Sequence, residues 1–230
     1  MSKKDYQTGR VLVNVEYPVY CVMSDETAET YASEVKAIAP AMSVNKNTES
    51  EDNDLYGDGI IQETETNMGK TTLEMQINYL AEQVEADLRG HAYDSTTGTM
   101  TIKDTDVPPY AAFGFMLQQA GDEYCGYWLV KGKLQEPNLE AQQKEGATTN
   151  YSTPTITVSG VTRRADGVRE LRKKGTRAEV IEWLSTAETL AIASGTTGTT
   201  GTTGTTGTTG TTGTTGTTGT TDGTGTVTGG

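Results

Sequence analysis

At 230 residues with a formal net charge of −13, the chain is long enough for one domain with a good core or two small ones. It is too acidic to hold nucleic acid over most of its surface, which excludes a general DNA-binding role. No run approaches the ~18 apolar residues of a membrane-spanning helix, so no membrane partner is expected.

The start, MSKKDYQTGR, has no apolar stretch after its lysines, which predicts a soluble cytoplasmic product. Residues 10–23 are rich in Val and Tyr. Val11, Val13 and Val15 alternate with Leu12, Asn14 and Glu16, the period of a half-buried strand. Pro18 interrupts it, which predicts an edge strand or a bulge there. Residues 24–34 are polar, and 35–44 are apolar but broken by Pro40. From 45 to 69 the chain is polar and acidic, with only Leu55, Tyr56, Ile60 and Ile61 standing out. Without a clear period, this segment is predicted to be functional or mobile.

Thr71, Leu73, Met75 and Ile77 fall on one face of a strand. Leu80, Val84 and Leu88 have helical spacing, so a short amphipathic helix is expected over 79–89, stopped by Gly90. Two strand candidates flank the turn at 95–98. Residues 110–117 and 124–134 form a hairpin signal around Gly121-Asp122. Residues 153–161 read as a last strand, with Thr155 and Thr157 alternating with Ile156 and Val158. A second helix is expected over 177–187, with Thr176 as its N-cap. The sum is a mainly β chain with minor α, arranged as a β-sandwich or barrel decorated by one or two short helices, over residues 1–194.

At Gly195 the composition changes. Glycine recurs at every third position to Gly219, and Thr fills the places between. A glycine period of three is the collagen signature, but collagen puts proline where this chain has β-branched Thr. Residues 195–230 are therefore expected to be a separate low-complexity tail, a flexible coil or loose polyproline-like strand, with a collagen-like triple helix as the alternative.

Several motifs suggest chemistry and fall short of it. Gly69-Lys70-Thr71 resembles the end of a phosphate loop, but Thr64 stands where the first glycine belongs and a strand pattern follows. Asp52 to Glu63 nearly fits a calcium loop, but Tyr56 takes a ligand position and no helical pattern flanks it. His91 is the sole histidine, so metal or relay chemistry has little support. The two cysteines, Cys21 and Cys125, lie in apolar strand contexts; buried thiols are expected, with a disulfide left open. No catalytic, cofactor or metal-binding residue is assigned, and an enzyme is not expected.

Charge is unevenly spread. Residues 1–162 hold 11 Lys/Arg against 25 Asp/Glu, whereas residues 163–194 hold 7 against 5. The basic stretch comprises Arg163, Arg164, Arg169, Arg172, Lys173, Lys174 and Arg177. It lacks the interleaved aromatics of a single-strand nucleic-acid site. In so acidic a chain its simpler use is pairing with an acidic neighbouring subunit. Residues expected at subunit contacts are Leu55, Tyr56, Asp58, Arg163, Arg164, Arg172 and Lys173.

A series of segments, in order, resembles the major tail proteins of long, non-contractile-tailed phages of Gram-positive bacteria. They are Leu55-Tyr56-Gly57-Asp58, Leu88-Arg89-Gly90, Pro109-Tyr110-Ala111-Ala112-Phe113-Gly114-Phe115, Tyr127-Trp128-Leu129-Val130-Lys131-Gly132-Lys133-Leu134, Glu136-Pro137 and Thr153-Pro154-Thr155-Ile156. The resemblance covers roughly residues 8–190. It implies a β-sandwich tail-tube fold and a structural virion protein, without cofactors. Six subunits would form a ring, and stacked rings a tube through which genomic DNA passes without specific binding. Other tail proteins, the tape measure and the terminator, would be partners, with assembly in the host cytoplasm and a final place in the virion tail. The Gly-Thr-Thr array is outside the common family pattern. An alternative from another class is a surface adhesion module with a collagen-like stalk, which would require export and trimers.

Overall fold

A computed structural model describes residues 11–58, 60–137 and 153–192. The Gly-Thr-Thr array, and the coil expected for it, lie outside the described residues. The described chain is mainly β with minor α, and its strands pair antiparallel.

The strands are β1 (Leu12–Asp25), β2 (Thr30–Tyr31), β3 (Lys36–Ala37), β4 (Ala41–Gly57), β5 (Ile60–Ile77), β6 (Ala92–Asp94), β7 (Thr99–Thr101), β8 (Ala111–Gln119), β9 (Glu123–Leu134), β10 (Thr155–Gly160) and β11 (Glu170–Gly175). The helices are α1 (Glu82–Arg89) and α2 (Arg177–Ser185), followed by a 3-10 turn, Ala187–Leu190. Nine strands form one sheet in the order β2-β1-β8-β9-β10-β5-β4. β3 pairs with β1, and β11 takes residues 124–129 of β9 while β10 takes residues 132–134. The hairpin β6–β7 stands apart, at the turn expected from its sequence.

The central strands are buried on both faces, which is why residues 111–116 read as an apolar run with no alternation. On one face Tyr20, Phe113, Phe115 and Leu129 meet Leu73, Met75 and Ile77 of β5, Ile156 and Val158 of β10, and Val84 and Leu88 of α1. On the other face Val19, Cys21, Ala112, Met116, Trp128 and Val130 are covered by Val180, Leu184 and Leu190. Each such large side chain contributes roughly 1.5–3 kcal/mol by leaving water. Cys21 and Cys125 are both free and buried, and burial pushes the Cys21 thiol up to about 11.

α1 is shorter than expected. Ala81 caps it in extended conformation, and Gly90, at φ 75°, stops it by donating its N–H to the Ala86 carbonyl. α2 starts where the sequence places it. The Thr176 hydroxyl accepts from the Glu179 N–H while the Glu179 carboxylate accepts from the Thr176 N–H, a complete capping box.

α2 can reach the sheet because glycine lies beneath it. A Cβ on Gly126 would stand 2.9 Å from both Trp183 and Val180, and one on Gly114 would stand 2.9 Å from Trp128. Gly126→Ala must therefore lift the helix, and an expected loss of about 1–3 kcal/mol follows from overpacking. Urea unfolding checks it; an unchanged midpoint would show that the helix is not seated as described.

Pro18 marks a bulge, as its sequence suggests. The β1–β8 register shifts between Glu16 and Val19, and Tyr17 adopts φ 57°. Upstream of it the alternation fails: Val11, Leu12 and Val13 are 75%, 54% and 63% exposed, so neither face of this end of β1 is covered.

The largest departure from expectation is at 45–69. This segment is regular: β4 and β5 pair from Ala41↔Ile77 to Gly57↔Ile60. Gly69-Lys70-Thr71 lies within β5, with no helix following it. The stretch that resembles a calcium loop runs up one strand and down the next, and no cluster of three or more metal-ligating side chains occurs among the described residues.

Candidate assembly surfaces

The inner half of the β4–β5 hairpin belongs to the core. The hydroxyls of Thr48 and Thr71 lie 3.0 Å apart, and Thr71 is fully buried. Immediately beyond them the register shifts, between Thr48 and Ser50. At this root Gly69 leaves room for Glu49, whose Cβ lies 3.2 Å from where a Gly69 Cβ would stand. From Glu49 to Lys70 every side chain described is exposed. The hairpin thus leaves the body as a two-stranded arm. Its length from Ser50 to Tyr56 is about 20 Å at the ~3.4 Å rise of an antiparallel strand.

The arm carries Glu49, Glu51, Asp52, Asp54, Asp58, Glu63 and Glu65 against Lys70 alone. Its outer strand edges have no partner strand among the described residues. Repeated carboxylates along such edges oppose pairing of one arm with another like it. The Thr64 hydroxyl donates to Asp54 across the strands at 2.7 Å. At the turn Asp58 takes φ 53°, a left-handed conformation that Asp tolerates. Around it the tip is apolar: Leu55, Tyr56, Ile60 and Ile61 are 51–65% exposed. Leu55, Tyr56 and Asp58, expected at subunit contacts, therefore stand together at the end of a projection.

The basic stretch does not form one surface. Arg163 is a correction: it is 1% exposed, and no neighbouring subunit can reach its guanidinium. Its Nε donates to Asp166 at 2.9 Å, and other guanidinium nitrogens donate to Asp166, the Leu190 carbonyl and the Tyr31 hydroxyl. Arg164 and Lys173 are exposed. Arg172 lies over the Tyr127 ring at 5.0 Å and pairs with Glu170, which also accepts from Lys46. Burial works to raise the Glu170 carboxyl, but Lys46 and Arg172 hold it below the ordinary value of 4.5. Arg177 pairs with Glu16 at 3.0 Å.

His91 is structural. Its Nδ1 lies 2.8 Å from Asp106, which also accepts from the Lys103 N–H, so the pair ties the segment after β7 to the end of α1. The histidine keeps the Asp106 carboxyl below its ordinary 3.8. Asp87 is the centre of a second network, accepting from the Tyr20 hydroxyl at 2.9 Å, Lys36 at 2.8 Å and Gln83 at 2.8 Å. Burial opposes ionisation of Asp87, yet Lys36, Gln83 and Tyr20 lower it below 3.8.

Asp87, Asp166 and Glu170 are all depressed in the folded state. Their contribution is complete above the unfolded values of 3.8 and 4.5 and is lost as pH falls through the lower folded values. The melting temperature is expected to be flat from pH ~7 to ~5 and to fall steeply below pH ~4. Asp87→Asn should flatten part of that fall in a melting series against pH; an identical profile would remove Asp87 from the account.

The opposite ends of the sheet approach one another. Residues 12–15 of β1 and 42–46 of β4 line an open groove of about 520 Å³, floored by Phe115, Leu117 and Tyr127, with Arg172 at its rim. Met42 is 54% exposed there, beside Leu12 and Val13. Sequence reasoning missed this surface because it joins segments about thirty residues apart with two others near 115 and 127; no local signal could have found it. Ile60 and Ile61 were legible as isolated apolar residues in a polar run. No helix among the described residues is long and apolar enough to cross a membrane. No family model matches the chain, and no curated protein matches it.

Proposed function

We propose that the chain is a self-assembling structural subunit of a phage tail tube, forming hexameric rings that stack into a conduit for DNA. The observation that carries the reading is the arm. A monomer gains nothing from a two-stranded projection that exposes four large apolar side chains at its tip, since an isolated hairpin is only marginally stable in water. A subunit that must reach a neighbour needs such a projection. The resemblance of ordered segments to major tail proteins supports the same reading. So does the mainly antiparallel β body, whose curled sheet with a core between its halves suits the β-sandwich tail-tube fold.

The net charge of −13 fits a conduit, because an acidic lumen repels phosphates and lets DNA slide without binding. The tape measure and terminator would meet the ends of the tube, and the virion tail would be its location. Negative-stain microscopy and sedimentation of the purified full chain test the proposal. Rings or tubes are expected; a chain that stays monomeric at every concentration, in lysate as in buffer, would overturn it.

A further inference from the structure

We infer that the groove between the ends of β1 and β4 is the acceptor for the arm tip of a second copy of this chain. The inference rests on the self-assembly reading above and deepens it by naming the surface on which the arm closes.

Three observations converge. The groove is apolar where the arm tip is apolar: Leu12, Val13, Met42, Val44, Phe115 and Leu117 line it, and Leu55, Tyr56, Ile60 and Ile61 would enter it. Its volume of about 520 Å³ lies within the roughly 300–1,000 Å³ that suits a compact group of side chains of ligand size. The charges are complementary. Lys46 and Arg172 stand at the rim, while the arm holds seven carboxylates against one lysine. Glu170 neutralises part of the rim, so the match is one of sign and not of full pairing.

The backbone is also prepared. β1 pairs with β8 on one side, and its other edge is taken by β2 and β3 only from Val19 onward. β4 pairs with β5 alone. Both walls of the groove are therefore strand edges that no strand of the described residues fills, and an extended segment can add hydrogen bonds there as well as side chains.

The occupant must come from another molecule. At ~3.4 Å per residue, Leu55 lies about 30 Å beyond Lys46 along the same strand, and the arm cannot fold back without unzipping its own ladder. Donor and acceptor are different patches of one chain, so the contact is head-to-tail. Such contacts close into rings when the rotation between copies allows it.

Two variants of the full chain separate donor from acceptor. The arm variant carries Leu55→Ser, Tyr56→Ser, Ile60→Ser and Ile61→Ser. The groove variant carries Val13→Asp and Met42→Asp, both at exposed positions where the fold does not depend on the side chain. Each alone is expected to sediment as a monomer with the near-ultraviolet circular dichroism of the parent. Mixed in equal amounts they are expected to form a one-to-one dimer, because one supplies an intact groove and the other an intact arm. If the groove variant assembles as the parent does, or the mixture stays monomeric while the parent assembles, the groove assignment falls and the self-assembly reading stands. A parent chain that never associates overturns both. Should the groove variant lose its fold, Val13→Cys mixed with Tyr56→Cys and a short bismaleimide supplies the second measurement. A crosslinked dimer seen only when both variants are present is expected, and its absence from assembled parent-like material overturns the inference.

Discussion

Arg163→Ala should lower the free energy of unfolding by about 3–5 kcal/mol, the cost of stripping one partner from a buried ion pair. Arg163 is 1% exposed and the Asp166 side chain 9%. Removing the guanidinium leaves the Asp166 carboxylate in a poorly solvated place with backbone N–H groups, those of Val168 and of Asp166 itself, in place of a charged partner. It also frees the Leu190 carbonyl, which anchors the 3-10 turn following α2, and withdraws a contact from Tyr31, whose hydroxyl holds the Val130 carbonyl. The loss therefore spreads from the segment between β10 and β11 to both the helix layer and the sheet. Burial works against the charge of Arg163, but Asp166 and Tyr31 raise its pKa, so the charge persists in place. Urea unfolding of R163A, D166A and R163M/D166L provides the check. The double variant should recover much of the loss, since no charge is left unpaired. If R163A unfolds at the parent's urea concentration, the buried pair is not a structural element and the basic residue is free for a partner after all.

The case of Arg163 shows where sequence reading stops. Nothing local distinguishes it from Arg164, its exposed neighbour, because burial of the first depends on Asp166 and on the distant Tyr31 and Leu190. The same limit explains the groove, which exists only once the sheet brings residues 12–15 against 42–46. The arm was illegible for another reason. Period-2 alternation marks a strand only when one face is dry, and between Glu49 and Lys70 both faces are wet. The sequence there records solvent on every side, which reads as a loop even though the backbone is a ladder. By contrast the β8–β9 hairpin, the Thr176 cap and the Gly90 stop were legible because each is set by residues within one turn or one strand of itself. Leu55, Tyr56, Ile60 and Ile61 stood out for the reason that matters at a surface: four large apolar residues in an acidic run have no local use.

Replacing residues 50–68 by a two-residue turn should abolish assembly and leave the body intact. The deletion removes six carboxylates and no base, together with the whole apolar tip. The residues kept on either side end at Glu49 and Gly69, just beyond Thr48 and Thr71, where the last buried contact of the hairpin lies. Because the excised side chains are all exposed, the melting temperature of the monomer should move by less than ~4 °C, about 1 kcal/mol for a domain of this size. Loss of assembly with an unchanged melt would place the arm's whole value between molecules. Two milder variants divide that value. Glu51→Gln, Glu63→Gln and Glu65→Gln together should leave association possible but slower and less sensitive to salt, since charge steers encounter more than it holds a complex. Tyr56→Ser with Ile61→Ser should prevent association at every salt concentration, because apolar burial at the tip holds it. If the charge variant loses assembly and the tip variant keeps it, the arm binds by its carboxylates, and the apolar tip must then serve a contact with something other than a second copy.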